Sequence, residues 1–317
     1  MNRNLTFTLA LVAGLVLILA AVAIGSPNRK IWCAGNICVA DDGGISPTKL
    51  PRHGKAPVTA RLNGEISTRD GTHPPAFQTM DLKIDKTIEF DAKGLPVCKP
   101  SQIEASTTAT VKRICGDAII GAGEGEVEVA FPEQKPFSAT GPIIVFNGGV
   151  KGAVTTVLVH AYVNVPAPTA IVTKAKITKI NEGRFGMRIQ VRVPKIAGGA
   201  GSVTEFALKV GRRYTYKGKK KSVLAAGCPT GIWMAKGQAS FEDGTRLAIS
   251  HPFPCTPMGR VETVRPAPAS TLAQHPASGE SPPATPHLGV TAEETGRSGP
   301  GFSPFPDRST SFLARLS

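Results

Sequence analysis

The stretch Arg184-Phe185-Gly186-Met187-Arg188-Ile189-Gln190-Val191-Arg192-Val193 alternates without a break. Side chains alternate sides of a β-strand, so Phe185, Met187, Ile189, Val191 and Val193 share an apolar face. Arg184, Arg188, Gln190 and Arg192 then form a cationic outer face. Residues 171–180 before it are rich in Ile, Val and Thr, and Asn181-Glu182-Gly183 is a turn signal. The two segments predict a β-hairpin.

Working outward, the same pattern recurs. Residues 58–66 alternate, with Val58, Ala60, Leu62 and Ile66 expected inside. Residues 77–90 predict two strands, with Leu82 and Ile84 inward and Asp81, Lys83 and Asp85 outward. Residues 117–131 put Glu124, Glu126 and Glu128 opposite Val127 and Val129. That acidic stripe is opposite in sign to the basic one, and neighbouring strands would pair them. Asn147-Gly148-Gly149 reads as a turn before the apolar run 154–165. Residues 203–210, 214–216, 222–227, 231–241 and 245–250 supply further strands, and Asp243-Gly244 is a hairpin signal between the last two.

The fold class is therefore all-β, first an antiparallel sandwich, with two halves, 58–165 and 166–255, divided at Pro166-Ala167-Pro168 and free to pack as one domain; strand order and closure into a barrel stay open. Residues 26–57 are expected to be an irregular lead-in and residues 95–115 a polar excursion closed by a disulfide. Aromatic residues are only 6% of the 317, so aliphatic side chains must fill the core. Residues 1–25 carry Arg3 and then an unbroken apolar run, which reads as a cleaved export signal or as an uncleaved anchor. Beyond Cys255, residues 256–317 are Pro-, Ala- and Ser-rich without periodicity and read as a disordered tail.

The cysteines Cys33, Cys38, Cys98, Cys115, Cys228 and Cys255 suit an oxidising compartment. Six cysteines allow fifteen connectivities. Near-neighbour pairing is the simplest, and closing the Cys98–Cys115 loop then stabilises by about 3 kcal/mol in the chain-entropy model. Cys-x-x-Cys spacing is absent, which argues against zinc and against a redox motif. No metal or cofactor is expected.

The formal net charge is +14, and residues 174–221 alone hold 14 basic side chains against Glu182 and Glu205. Such a field favours anionic partners. The candidate anion-binding residues are Lys174, Lys176, Arg184, Arg188, Arg192, Arg212, Arg213, Lys217, Lys219, Lys220 and Lys221. The expected partner is an anionic cell-wall or surface polymer. Nucleic acid is disfavoured outside the cell, and a membrane enters only through the N-terminal segment if that stays uncleaved.

Catalysis needs a convergent set of groups. The Gly-x-Ser-x-Gly, His-Glu-x-x-His and Gly-x-Gly-x-x-Gly motifs are all absent. His53, His73, His160 and His251 are the core's histidines. His160 and Tyr162 share a strand face, as half of an acid/base site or, more simply, as a buried histidine with a hydrogen-bond partner. The expected protein is a non-catalytic binding or structural module. Its alternative is a secreted hydrolase built on paired carboxylates.

Several stretches carry a resemblance: Asp41-Asp42-Gly43-Gly44-Ile45-Ser46-Pro47, Gly94-Leu95-Pro96-Val97-Cys98-Lys99, Phe131-Pro132-Glu133-Gln134, Phe146-Asn147-Gly148-Gly149, Pro194-Lys195-Ile196-Ala197-Gly198-Gly199 and Tyr214-Thr215-Tyr216-Lys217-Gly218-Lys219. They are similar to a family of uncharacterised exported bacterial β-rich proteins. The resemblance spans about 41–255 and implies export, secreted or at the cell surface, with no assigned function and no catalytic residue. Its members end shortly after a cysteine like Cys255. The added residues 256–317 read as an extension or as the product of a reading-frame change.

Overall fold

The computed structural model describes residues 29–164 and 167–259. The expected export signal or anchor at 1–25 and the tail beyond Gly259 lie outside the described residues. Strands run in the order β1 (Lys30–Ala34), β2 (Ile37–Asp41), β3 (Gly44–Ser46), β4 (Lys49–Pro51), β5 (Ala56–Pro57), β6 (Thr59–Thr68), β7 (Phe77–Asp85) and β8 (Ile88–Phe90). Helix α1 (Thr108–Cys115) follows, then β9 (Ile119–Val129), β10 (Phe137–Lys151), β11 (Val154–Val163), β12 (Thr169–Glu182) and β13 (Phe185–Arg192). The chain continues through β14 (Gly201–Val210), β15 (Arg213–Tyr216), β16 (Lys219–Ser222), β17 (Leu224–Ala226), β18 (Ile232–Phe241), β19 (Arg246–Pro254) and β20 (Thr256–Met258).

The all-β class and the β12–β13 hairpin hold; the sandwich does not. A single 13-stranded sheet runs β1-β2-β6-β14-β9-β10-β11-β12-β13-β7-β18-β19, with β3 added on β6. All its pairings are antiparallel. Its two ends approach each other: the Trp32 ring of β1 meets the His251 ring of β19 at 5.4 Å. The sheet is thus nearly closed into a barrel-like shape. The expected division at Pro166 is not a boundary either. Val163 and Thr169 flank it as register partners, and β6–β14 and β7–β13 ladders join the two supposed halves. Pro166 itself falls on the undescribed pair 165–166.

The inner face carries the main core. Leu50, Val58, Phe90, Val145, Ala175, Met187, Val223 and Trp233 form one buried cluster. Trp233 is 1% exposed, and its Nε1 donates to the Gly227 carbonyl at 2.7 Å. Close approach requires glycine on β9: a Cβ at Gly123 would stand 1.9 Å from the Ala207 carbonyl oxygen. One expected inward residue is an exception, since Leu62 is 43% exposed.

Several local expectations are corrected. Residues 30–57 are not irregular but form β1 to β5, each of two to five residues. Strands that short, cut by Gly and Pro, show no period of two. The ordered chain also continues past Cys255, because β20 pairs in parallel with β4. Asn147-Gly148-Gly149 is a bulge inside β10 rather than a turn. The buried Asn147 side chain donates to the Leu95 and Pro96 carbonyls at 3.2 and 2.9 Å, which holds the 95–98 loop on the sheet. The excursion at 95–115 contains α1, capped at its N-terminus by the Thr107 hydroxyl. Val111 and Cys115 turn its apolar side onto Ile144, Phe146 and Leu158 of the outer sheet face. The disulfides are Cys33–Cys38, Cys98–Cys115 and Cys228–Cys255, the near-neighbour set.

Candidate functional site

Strands β12, β13, β7, β18 and β19 lie side by side, and their outward residues align in cross-strand rows. One row runs Lys174, Arg192, Thr79, Ser240, Arg246. The next, two residues along each strand, runs Lys176, Gln190, Asp81, Gln238, Ala248. The third runs Thr178, Arg188, Lys83, Lys236, Ser250. From strand geometry the face measures about 20 Å across the strands and about 13 Å along them. Of the residues between these rows, Ala175, Ile177 and Ala239 are buried on the other side, as are Met187 and Ala235 just beyond the third row.

The charge on this face is not evenly spent. Asp81 accepts from Arg188 Nε at 2.8 and 3.1 Å, and from Nη2, so the guanidinium holds its carboxyl below the usual range. Lys83 pairs with Glu182. Lys174 stands 3.5 Å from Glu104 with both side chains more than half exposed, a weak pair. Lys176, Arg192, Lys236 and Arg246 have no carboxylate within ion-pair distance among the described residues. The cationic excess is therefore concentrated around Lys174, Lys176 and Arg192 on one side and Lys236 and Arg246 on the other. Amides and hydroxyls lie between them, with Thr79 and Ser240 hydrogen-bonded at 2.6 Å.

Of the residues expected from sequence, this face collects Lys174, Lys176, Arg188 and Arg192. Arg184 sits at the β12–β13 turn and is structural. Its Nε and Nη2 donate to the buried Asp85 carboxylate at 3.1 and 2.8 Å. Asp85, expected outside, is 4% exposed. Arg212 Nη1 donates to the Asp117 and Ile119 carbonyls at 2.7 and 2.9 Å, and so is structural too. Arg213, Lys217, Lys219, Lys220 and Lys221 lie on β15–β16, a separate two-stranded sheet. That hairpin docks by one face: Tyr214 Oη lies 3.1 and 3.0 Å from the Asp91 and Lys93 carbonyls. Lys221 Nζ meets Asp91 at 2.8 Å, a hydrogen bond that raises its pKa. Lys217 and Lys221 stand 5.7 and 5.5 Å from the Tyr216 ring centre. Lys83, Lys236 and Arg246 were not expected in the site; they arrive on strands distant in the chain.

The acidic stripe does not face the basic one, because β9 lies between β10 and β14. Glu126 accepts from Ser138 and Thr204 at 2.9 and 3.1 Å. Glu128 lies 2.7 Å from His73 Nδ1, and His73 Nε2 lies 3.3 Å from Ser202 Oγ. Hydroxyl, imidazole and carboxylate in that order are the arrangement of nucleophilic catalysis. Here Ser202 is 1% exposed and donates its hydrogen to the Pro74 carbonyl at 2.5 Å. The set holds the 72–76 loop against β9 and β14, with the hydroxyl closed to a substrate.

His160 is fully buried, with Nε2 2.8 Å from the Ser106 carbonyl, and its ring is stacked on Tyr162. Burial lowers its pKa from 6.5. The unfolded chain then binds the proton more readily, so His160's contribution is complete above about pH 6.5 and is lost as pH falls below it. Urea unfolding at pH 7.5 and 5.0 is expected to show lower stability at pH 5.0, with a smaller difference in His160→Gln. An equal difference in the variant would refute this role. Among the described residues no group of His, Cys, Asp and Glu is placed to hold a metal ion. No helix among them is long and apolar enough to cross a membrane. Compared with family models, curated proteins and solved structures, the chain gives no match.

Proposed function

We propose that this is an exported, disulfide-stapled β-protein that binds a linear anionic polymer of the cell envelope. The observation that carries the reading is the outer face of β12–β13–β7–β18–β19. Its cations Lys176, Arg192, Lys236 and Arg246, which have no carboxylate partner among the described residues, surround Asp81, a carboxylate already occupied by Arg188. A polar outer face without aromatic side chains suits an extended phosphate- or sulfate-bearing chain better than a stacked sugar ring. Three disulfides fit an oxidising compartment, and the family resemblance over 41–255 points the same way. The reading is of a binding module rather than an enzyme.

The test uses labelled poly(glycerol phosphate) and fluorescence anisotropy. Binding is expected to weaken with salt, as the screening length falls from about 10 Å at 0.1 M to about 3 Å at 1 M. Each cation near an anionic surface contributes about 1 kcal/mol, so Lys176→Glu with Arg192→Glu should weaken binding by at least about 30-fold. Lys219→Glu with Lys220→Glu should leave most of it. Lys221 is left unchanged in this control, because it helps dock the hairpin through Asp91. Undiminished affinity in the Lys176/Arg192 variant would sink the proposal.

A further inference from the structure

We propose that the Cys33–Cys38 bridge is a reducible clasp, opened by an external dithiol while the other two bridges stay closed. The two cysteines are direct register partners on β1 and β2. Their sequence separation is 5, against 17 and 27 for the other bridges. Loop-closure stabilisation grows with the logarithm of loop length, so this bridge adds least to the fold and is held closed least by it.

Access separates the three further. Cys33 is exposed. Cys98 and Cys228 are 0% exposed and Cys115 is 5%, each inside a hydrophobic cluster, and Cys255, half-buried, packs against the cluster that holds Cys228, so Cys33 is the one exposed cysteine of the six. A thiolate must reach a disulfide sulfur to exchange with it. A dithiol's thiolate attacks Cys33 Sγ, the S–S bond breaks, and Cys38 leaves as a thiolate that takes up a proton. The dithiol's second thiolate then attacks its own sulfur in the mixed disulfide, and Cys33 leaves in the same way. Two electrons pass to the cystine, and the dithiol ends as a disulfide.

The bridge clasps one end of the sheet. β1 pairs only with β2, and no ladder joins it to β19 among the described residues. The gap is closed by side chains instead. Trp32 packs on His251 at 5.4 Å, and His251 Nδ1 lies 2.8 Å from Asp41 of β2. A short strand paired on one edge is marginal by itself. Reduction therefore frees β1, lifts Trp32 from His251 and opens the seam.

The experiment is graded reduction of the full chain with dithiothreitol, alkylation, peptide mapping and hydrogen exchange. Cys33 and Cys38 should be alkylated together, at least about tenfold faster than the other four. Amides of β1 and of β19 should then exchange faster while those of β9 and β10 do not change. Cys33→Ser with Cys38→Ser should reproduce that exchange pattern without reductant. Reduction of either other bridge at an equal or greater rate would overturn the proposal. Unchanged β1 exchange, in the reduced chain or in the double variant, would overturn it as well.

Discussion

An Asp85→Ala chain is expected to lose about 3 kcal/mol of stability, the low end of the range for stripping one partner from a buried ion pair. Asp85 is 4% exposed. It accepts from Arg184 Nε and Nη2 and from the Thr87 amide and hydroxyl, the latter two at 3.1 and 3.0 Å. Truncation leaves those donors without an acceptor. The Arg184 side chain is 43% exposed, so water recovers part of its solvation and keeps the loss from the upper range. Asp85→Asn retains an oxygen for Thr87 and should lose about half as much. Urea unfolding of both variants checks this; a loss under about 1 kcal/mol for alanine would show that the pair is not structural.

Replacing Cys228 and Cys255 by serine is expected to cost about 3.5 kcal/mol, from a sequence separation of 27. For a domain of this size that lowers the melting temperature by about 10 °C. The bridge joins the β17–β18 connection to the β19–β20 connection, where Cys228 N donates to Pro51 and Cys255 N to Gly231. Strand β20, held on β4, should loosen with it. The same change at Cys33 and Cys38 should cost about 2 kcal/mol in the same model. A reversed order in calorimetry would contradict the assignment of a minor stabilising role to the short-loop bridge.

The strand at 185–192 and its hairpin with 169–182 were legible because alternation and turn chemistry are local. The Asp243-Gly244 turn was legible for the same reason, whereas the sequence left fifteen cysteine connectivities open, of which the simplest, near-neighbour set is the one formed. Strand order was not legible. Nothing in 77–85 or 232–241 announces that β7 lies between β13 and β18, yet that placement supplies Lys83 and Lys236 to the face. It also explains why the basic stripe meets Asp81 and Asp85 rather than Glu124, Glu126 and Glu128. Arg184, Arg212 and Lys221 looked like surface charge, but each is committed to an oxygen from a distant segment. Helix α1 was missed because its eight residues, TATVKRIC, are too few and too β-branched for a visible helical period. Its capping threonine at 107 was the available signal.

The central claim is that the face on β12, β13, β7, β18 and β19 meets the polymer. Lysine acetylation of the folded chain, with and without poly(glycerol phosphate), reads each site by mass spectrometry. The account predicts that Lys174, Lys176 and Lys236 become protected while Lys219 and Lys220 keep their reactivity. Protection confined to Lys219 and Lys220, or none at any lysine at saturating polymer, would contradict it.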